Sequence, residues 1–113
     1  MSKRRVNGGL AEAALLFGAL GNEMRLALLR RLAEAGPASI SSLSQGSQVS
    51  RQAITKHLNL LASAGLVDDI HAGREHLWSL NASRLAEAQR CLDIIARSWD
   101  DALHRLKTHL EQD

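Results

Sequence analysis

A single cysteine, Cys91, and a single proline, Pro37, stand in a chain of 113 residues. One thiol cannot staple a domain to itself, so a disulfide framework is excluded and a reducing cytoplasm is the expected compartment. Aromatic residues are as scarce: Phe17, Trp78 and Trp99 are the whole set. The core is therefore expected from Leu, Ile and Ala, which suits packed helices. No apolar run approaches the ~20 residues that a membrane-spanning helix needs. Lys3, Arg4 and Arg5 open the chain, but the stretch after them is amphipathic rather than an uninterrupted apolar signal core. An excess of one charge is also missing, with 14 Lys and Arg against 12 Asp and Glu. Catalytic signatures are absent too. No glycine-rich phosphate loop follows a strand pattern, there is no serine elbow, and the carboxylates mostly lie at helical spacing from Arg or Lys. The chain does not read as an enzyme, and no cofactor is expected.

What is present fits one domain spanning residues 1–113, with 45% apolar residues as in an ordinary globular chain. Leu10, Ala14 and Phe17 lie at helical spacing and predict a first helix over 10–19. Asn22 is a good N-cap for a second helix, whose stripe of Met24, Leu28, Leu29 and Leu32 ends at Gly36-Pro37. Ser39 can cap a very short third helix over 40–45. Ser50 then caps a fourth, with Val49 before it and Ile54 inside it in the hydrophobic-staple arrangement. Gly65 and Leu66 predict a Schellman ending after Ala64. Residues 66–80 change to a strand pattern around a turn containing Gly73, read as a two-stranded hairpin. Asn81 or Ser83 opens a last helix to about residue 110. Its apolar positions Leu85, Ala88, Leu92, Ile95, Trp99, Leu103 (or Ala102), Leu106 and Leu110 alternate by three and four, as in a helix packed lengthwise on another.

A short helix joined through a glycine-containing turn to a second helix is the helix-turn-helix unit, here about 39–64, whose second helix enters the major groove of DNA. The fourth helix has the two faces this use needs. Ile54, Leu58, Leu61 and Gly65 fall on one side. Arg51, Thr55, Asn59 and Ser63 fall on the other, flanked by Gln52 and Lys56, with no carboxylate among them. Arg can read guanine and Gln adenine bidentately, Thr can offer a methyl or a hydroxyl, and Lys56 and Ser50 suit phosphate. His57 lies between the faces, so a phosphate contact and a core hydrogen bond are both open to it. The basic excess follows the same pattern: residues 20–65 carry Arg25, Arg30, Arg31, Arg51 and Lys56 against Glu23 and Glu34.

The run Ser50-Arg-Gln-Ala-Ile-Thr-Lys56-His57-Leu58, continuing to Ala64-Gly65-Leu66-Val67, resembles the recognition-helix signature of the ArsR/SmtB family of winged-helix repressors. Asn22-Glu-Met-Arg25-Leu-Ala-Leu-Leu29 is similar to that family's second helix. Gly73-Arg74 followed by Trp78-Ser-Leu80 resembles its wing, and Trp99 to Leu106 is similar to a subgroup without metal-site motifs. The likeness is close over about residues 16–80. It implies a mainly α (α+β) fold: a winged helix-turn-helix with a two-stranded wing at about 66–80 and dimerisation helices at about 10–19 and 83–110. It further implies a homodimeric transcriptional repressor, self-regulating in one version, on an inverted-repeat operator. Duplex DNA would be bound through Ser50, Arg51, Gln52, Thr55, Lys56, His57, Asn59 and, from the wing, Arg74. The interface between copies would use Leu10, Ala14, Phe17, Leu92, Ile95, Trp99, Leu103 and Leu106.

One departure from the family pattern stands in the first wing strand. Asp68-Asp69 occupies positions that are often basic, and two carboxylates aimed at a phosphate backbone would repel it. That favours a second reading, a winged-helix interaction module that docks a protein and binds DNA weakly or not at all.

A third reading, a metal- or thiol-responsive repressor, meets missing ligands. Relatives that sense metals use thiolates in the third helix or a carboxylate and imidazole set on the last helix. Residues 39–45 hold neither Cys nor His. Asp100 and His104 share a helix face, but His109 is turned roughly 140° from His104. His71 and His76 can sit across the hairpin, yet two imidazoles alone make a weak site. No metal site is therefore expected, and Cys91, with no second Cys to resolve it, reads as a small hydrophobe. The residues name no inducer and no membrane partner.

Overall fold

The computed structural model describes residues 9–112; Lys3, Arg4 and Arg5 lie outside them. Five helices and one hairpin follow one another as α1 (Leu10–Leu20), α2 (Glu23–Ala35), α3 (Ile40–Ser44), α4 (Arg51–Ser63), β1 (Val67–Ala72), β2 (Glu75–Leu80) and α5 (Ala82–Glu111). The helix starts are set by side-chain caps. Asn22, Ser39, Ser50 and Asn81 each accept from the backbone N–H three residues on, satisfying a donor that the first turn leaves unpaired. Asn81, rather than Ser83, is thus the residue that opens α5.

The end of α4 is a Schellman motif. The Leu66 N–H donates to the Leu61 carbonyl and the Gly65 N–H to the Ala62 carbonyl, both at 2.9 Å. Gly65 takes φ +82°, and an added Cβ would lie 3.1 Å from Arg84 Nε. Both the conformation and the space require glycine there.

The hairpin is antiparallel, with Val67 opposite Leu80, Asp69 opposite Trp78 and His71 opposite His76. Its two-residue loop, Gly73-Arg74, has φ +63° at Gly73 and no positive φ at Arg74, the pattern of a II′ turn. Ala38 pairs with Trp78 on the other edge of β2 and exchanges two backbone hydrogen bonds with it, at 3.0 and 2.8 Å. The wing is thereby anchored to the link between α2 and α3.

One apolar core holds these parts together. Leu16 comes from α1, Leu28 and Leu32 from α2, Leu43 from α3, Ile54, Leu58 and Leu61 from α4, and Leu66, Val67 and Trp78 from the hairpin and its approach. Aliphatic side chains and one indole fill it, as the shortage of aromatics requires.

The first helix forms over the expected residues. Its buried side is Glu12, Ala13, Leu16 and Ala19, whereas Leu10 and Ala14 are exposed and Phe17 is half-buried against the core. Apolar residues surround this helix almost completely, so spacing alone could not say which side faces inward. Glu12 is the one carboxylate buried among the described residues. It is 8% exposed and ion-pairs with Arg84 of α5. Arg84 further donates to Glu87 Oε1 at 2.9 Å and to the Ala64 carbonyl at 2.8 Å. Burial opposes its charge, but the hydrogen bonds to Glu87 and Glu12 and the field of both carboxylates outweigh it and raise its pKa above the ordinary guanidinium value.

The radius of gyration, 18.1 Å, far exceeds the roughly 13 Å expected of a compact chain this long. The cause is α5. It packs on α1 near its start, and from Arg97 onward every described residue of it is exposed.

Candidate nucleic-acid interface

The fourth helix is held on three sides, by α2, α3 and β1, with α1 behind it. Ile54, Leu58 and Leu61 turn into the core, so its remaining face is fixed outward. On that face Arg51, Gln52, Lys56 and Asn59 are exposed and Thr55 is half-exposed. Ser50 Oγ accepts from the Ala53 N–H at 3.1 Å, which leaves the hydroxyl hydrogen for another acceptor. Thr55 donates its own hydroxyl hydrogen to the Arg51 carbonyl at 2.9 Å, so an outside group would meet its methyl and its oxygen lone pairs. Arg51, Gln52, Thr55 and Lys56, with Ile40 of α3, line an open cleft of about 410 Å³. The sequence had given Ile40 no such place; only the packing of α3 against α4 puts it there.

Electrostatically this face is one-sided. The helix carries no carboxylate, and Arg51 and Lys56 have no ion-pair partner among the described residues. Other cations in the same stretch are used internally. Arg25 donates from Nε to the Ala19 carbonyl at 2.6 Å, and Nη1 lies 3.3 Å from His57 Nδ1. Arg31 donates to the Leu43 and Ser42 carbonyls at 2.6 and 3.0 Å, satisfying the end of α3. The basic excess counted along the sequence is therefore partly structural. His57, half-buried, has its Nδ1 turned toward Arg25 rather than outward. That contact with Arg25 is internal to the fold.

Along the wing, alternation separates the two carboxylates. Asp68 stands opposite Ser79 and accepts from Asn81 Nδ2 at 3.4 Å. Asp69 falls on the other face, against His76 and 3.5 Å from His71 Nε2. Arg74 occupies the exposed tip. Two acidic residues thus do not form one repulsive patch.

Comparison with known proteins adds to this geometry. The helix-turn-helix domain family matches residues 20–70, from the end of α1 into β1. The HTH-type transcriptional regulator Rv2034 of Mycobacterium tuberculosis is 38% identical over 85 residues, which are 75% of this chain and 76% of the relative. An ArsR-like transcriptional regulator from Rhodococcus sp. RHA1 is 41% identical, and its structure superposes with a TM-score of 0.73 over 87% of this chain and 92% of the other. The chain belongs to the ArsR family of winged helix-turn-helix transcriptional regulators. The fold extends to more distant members. The homodimeric winged helix-turn-helix DNA-binding domain of Mb0332 from Mycobacterium bovis is 23% identical, with a TM-score of 0.65 over 86% of this chain and 88% of that one. ArsR-family proteins are regulators and not enzymes, in keeping with the missing catalytic signatures. In ArsR terms the hairpin of β1 and β2 is the wing. Among the described residues no helix is long and apolar enough to cross a membrane.

Proposed function

We propose that the protein is a homodimeric, sequence-specific repressor that works in the cytoplasm and binds an inverted-repeat operator in duplex DNA. The observation that carries this reading is the outward face of α4, which is polar, basic, free of carboxylates and rigidly backed by the core. Arg51 and Gln52 stand in the first turn, the part of a recognition helix that reaches base edges. Lys56, the Ser50 hydroxyl and the unpaired amides at the start of the helix suit phosphate. Asn59 lies one turn further on, and Arg74 at the wing tip meets flanking backbone. His57 acts through Arg25, holding α4 against α2.

A pair of copies is supported by what one copy leaves uncovered. Leu92, Trp99, Leu103 and Leu106 are 48, 59, 61 and 53% exposed on a helix that runs clear of the body, and Leu10 is 85% exposed on α1. Ala14 beside it is open and Ile95 is half-buried. Phe17 lies at the inner margin of this surface. Two such chains would bury these residues together and set their recognition helices about one DNA turn apart, ~34 Å. Occupying an operator blocks transcription, and the region upstream of the protein's own gene is the first place to look for it.

The test is a fluorescence-anisotropy titration on that upstream duplex and on a scrambled one, at low and physiological salt, with Arg51→Ala/Lys56→Ala beside the wild type. Nanomolar binding to the upstream duplex alone is expected. The double variant should weaken it and flatten its salt dependence by up to about two phosphates' worth of slope. Equal, weak and salt-abolished binding to both duplexes would reject specific readout. Unchanged affinity in the variant would reject α4 as the reader.

A further inference from the structure

We propose that the wing holds a site for one divalent transition-metal cation, ligated by Asp69, His71 and His76. Strand pairing assembles it. Asp69 and His71 are two residues apart on β1 and so share a face, and His76 stands directly opposite His71. The ligand atoms, one carboxylate oxygen and two ring nitrogens, all lie within 4.8 Å of one another. His76 Nε2 touches Asp69 Oδ1, and His71 Nε2 is 3.5 Å from the same oxygen. Donors around a tetrahedral ion with bonds of about 2.1 Å stand roughly 3.4 Å apart, so the His76–Asp69 contact would open and one imidazole would turn out of the His71–His76 stack to aim its in-plane lone pair at the ion.

Of the three ligands, His76 is backed by the core. The His76 ring stacks on Trp78 at 5.1 Å, and Trp78 is 2% exposed in the core. His71 in turn stacks on His76 at 4.5 Å. A lone surface ion pair would occupy Asp69 with one imidazole; here two imidazoles converge on it. The donor set also restricts the ion. Two imidazoles and a carboxylate suit Zn²⁺, Ni²⁺ or Cu²⁺, whereas Mg²⁺ and Ca²⁺ prefer oxygen, and no thiolate is present to favour Cu⁺. The side chains are 43 to 69% exposed, so a fourth position opens to water.

By themselves His71 and His76 make a weak site. The register supplies the missing third ligand. It also gives Asp69 a use that a basic wing lacks. A bound divalent cation would offset the wing's carboxylates, Asp68, Asp69 and Glu75, which stand against the single cation Arg74. Resting on the DNA-binding reading above, occupancy would strengthen the wing's hold on phosphate.

The experiment uses untagged, full-length protein titrated with Zn²⁺ by calorimetry, and with Co²⁺ followed by its visible absorption. Wild type, His71→Gln/His76→Gln, Asp69→Asn and a control, His104→Gln/His109→Gln, are compared, with circular dichroism checking each fold. One ion per chain is expected in wild type and control, with affinity lowered roughly 100-fold or more in the double wing variant. No binding, or equal binding by wild type and double wing variant, overturns the site. A second arm measures operator affinity with and without Zn²⁺ at constant ionic strength. Tightening of about threefold to tenfold in wild type and none in the wing variant upholds the charge effect. Zn²⁺ binding with unchanged DNA affinity overturns that effect and leaves the site standing. Absence of DNA binding in every condition tells against the repressor reading, while calorimetry still decides the metal.

Discussion

Removing the Arg84 side chain should cost far more than the loss of an ordinary surface arginine. Its guanidinium meets Glu12 of α1, Glu87 of α5 and the Ala64 carbonyl that closes α4, so one group ties three helices. The Arg84 and Glu12 side chains are only 16% and 10% exposed. In Arg84→Ala the Glu12 carboxylate would stay buried without its cation. Breaking a buried pair from one side costs about 3–5 kcal/mol. The residual exposure argues for the lower end, and the lost bond to Ala64 adds about 1 kcal/mol. A total near 3–4 kcal/mol would lower the thermal midpoint by on the order of 10–15 °C. Glu12→Gln should cost less, about 1–2 kcal/mol, because Arg84 keeps Glu87 and Ala64. Glu12→Leu/Arg84→Met, which removes both charges, should lie within about 1–2 kcal/mol of wild type. Urea unfolding followed by circular dichroism measures all four proteins, at one chain concentration because association shifts the midpoint. The pH dependence has a definite sign. A raised basic pKa in the folded state gives stability that is complete below the unfolded value and lost as pH climbs through the folded one. The Arg84 contribution should therefore be constant through the neutral range and fade only in strong alkali. An Arg84→Ala loss below about 1 kcal/mol, or additive single losses in the double variant, would refute the knot.

Gly65→Ala should destabilise by about 1–3 kcal/mol, the cost of a left-handed alanine plus displacement of Arg84, while an alanine at the exposed Gly18 of α1, where nothing lies within 4 Å, should be neutral or stabilising. Paired thermal melts decide this, and equal behaviour of the two would remove the argument from the Gly65 backbone. Leu103→Glu/Leu106→Glu should abolish self-association without unfolding the chain, because both side chains are exposed in a single copy. Analytical ultracentrifugation with circular dichroism reads both quantities, and a variant as associated as the wild type would exclude this stretch of α5 from the interface.

Legibility along the sequence followed the range of the interaction. Caps and glycine endings are decided by residues three to five apart, so Asn22, Ser39, Ser50 and Gly65 could be read directly. The inner stripe of α4 was also plain, because its polar face makes the apolar one stand out. On α1 no such contrast exists, and the inward side depended on Glu12 finding Arg84 from the far end of the chain. Arg25 and Arg31 read as available charge and turned out to bond backbone carbonyls and His57. A sequence counts charges but does not say which are already engaged. The wing cluster lies between these cases. Once Gly73-Arg74 is taken as a two-residue turn, position 71 must face 76, and 69 must share their side. The parity of the hairpin carries this grouping, which the spacing of His71 and His76 alone does not show.

The modest net charge of +2 is no obstacle to DNA binding once the charges are assigned to their partners. Arg25, Arg31 and Arg84 are held by backbone or carboxylates inside the fold, and Asp100, Asp101 and Glu111 of α5 lie on its exposed outer part. What remains at the helix-turn-helix is Arg51 and Lys56, with no carboxylate on the same helix to offset them. Phosphate binding responds to the local field within about a Debye length, ~8 Å at physiological salt, and not to the sum over the molecule. The wing is the one part of the expected DNA side where that local sum is unfavourable, with Asp68, Asp69 and Glu75 set against Arg74. A single bound divalent cation would bring that sum to zero. A regulator arranged this way would keep its base-reading helix permanently competent and place the adjustable part of its affinity at the rim.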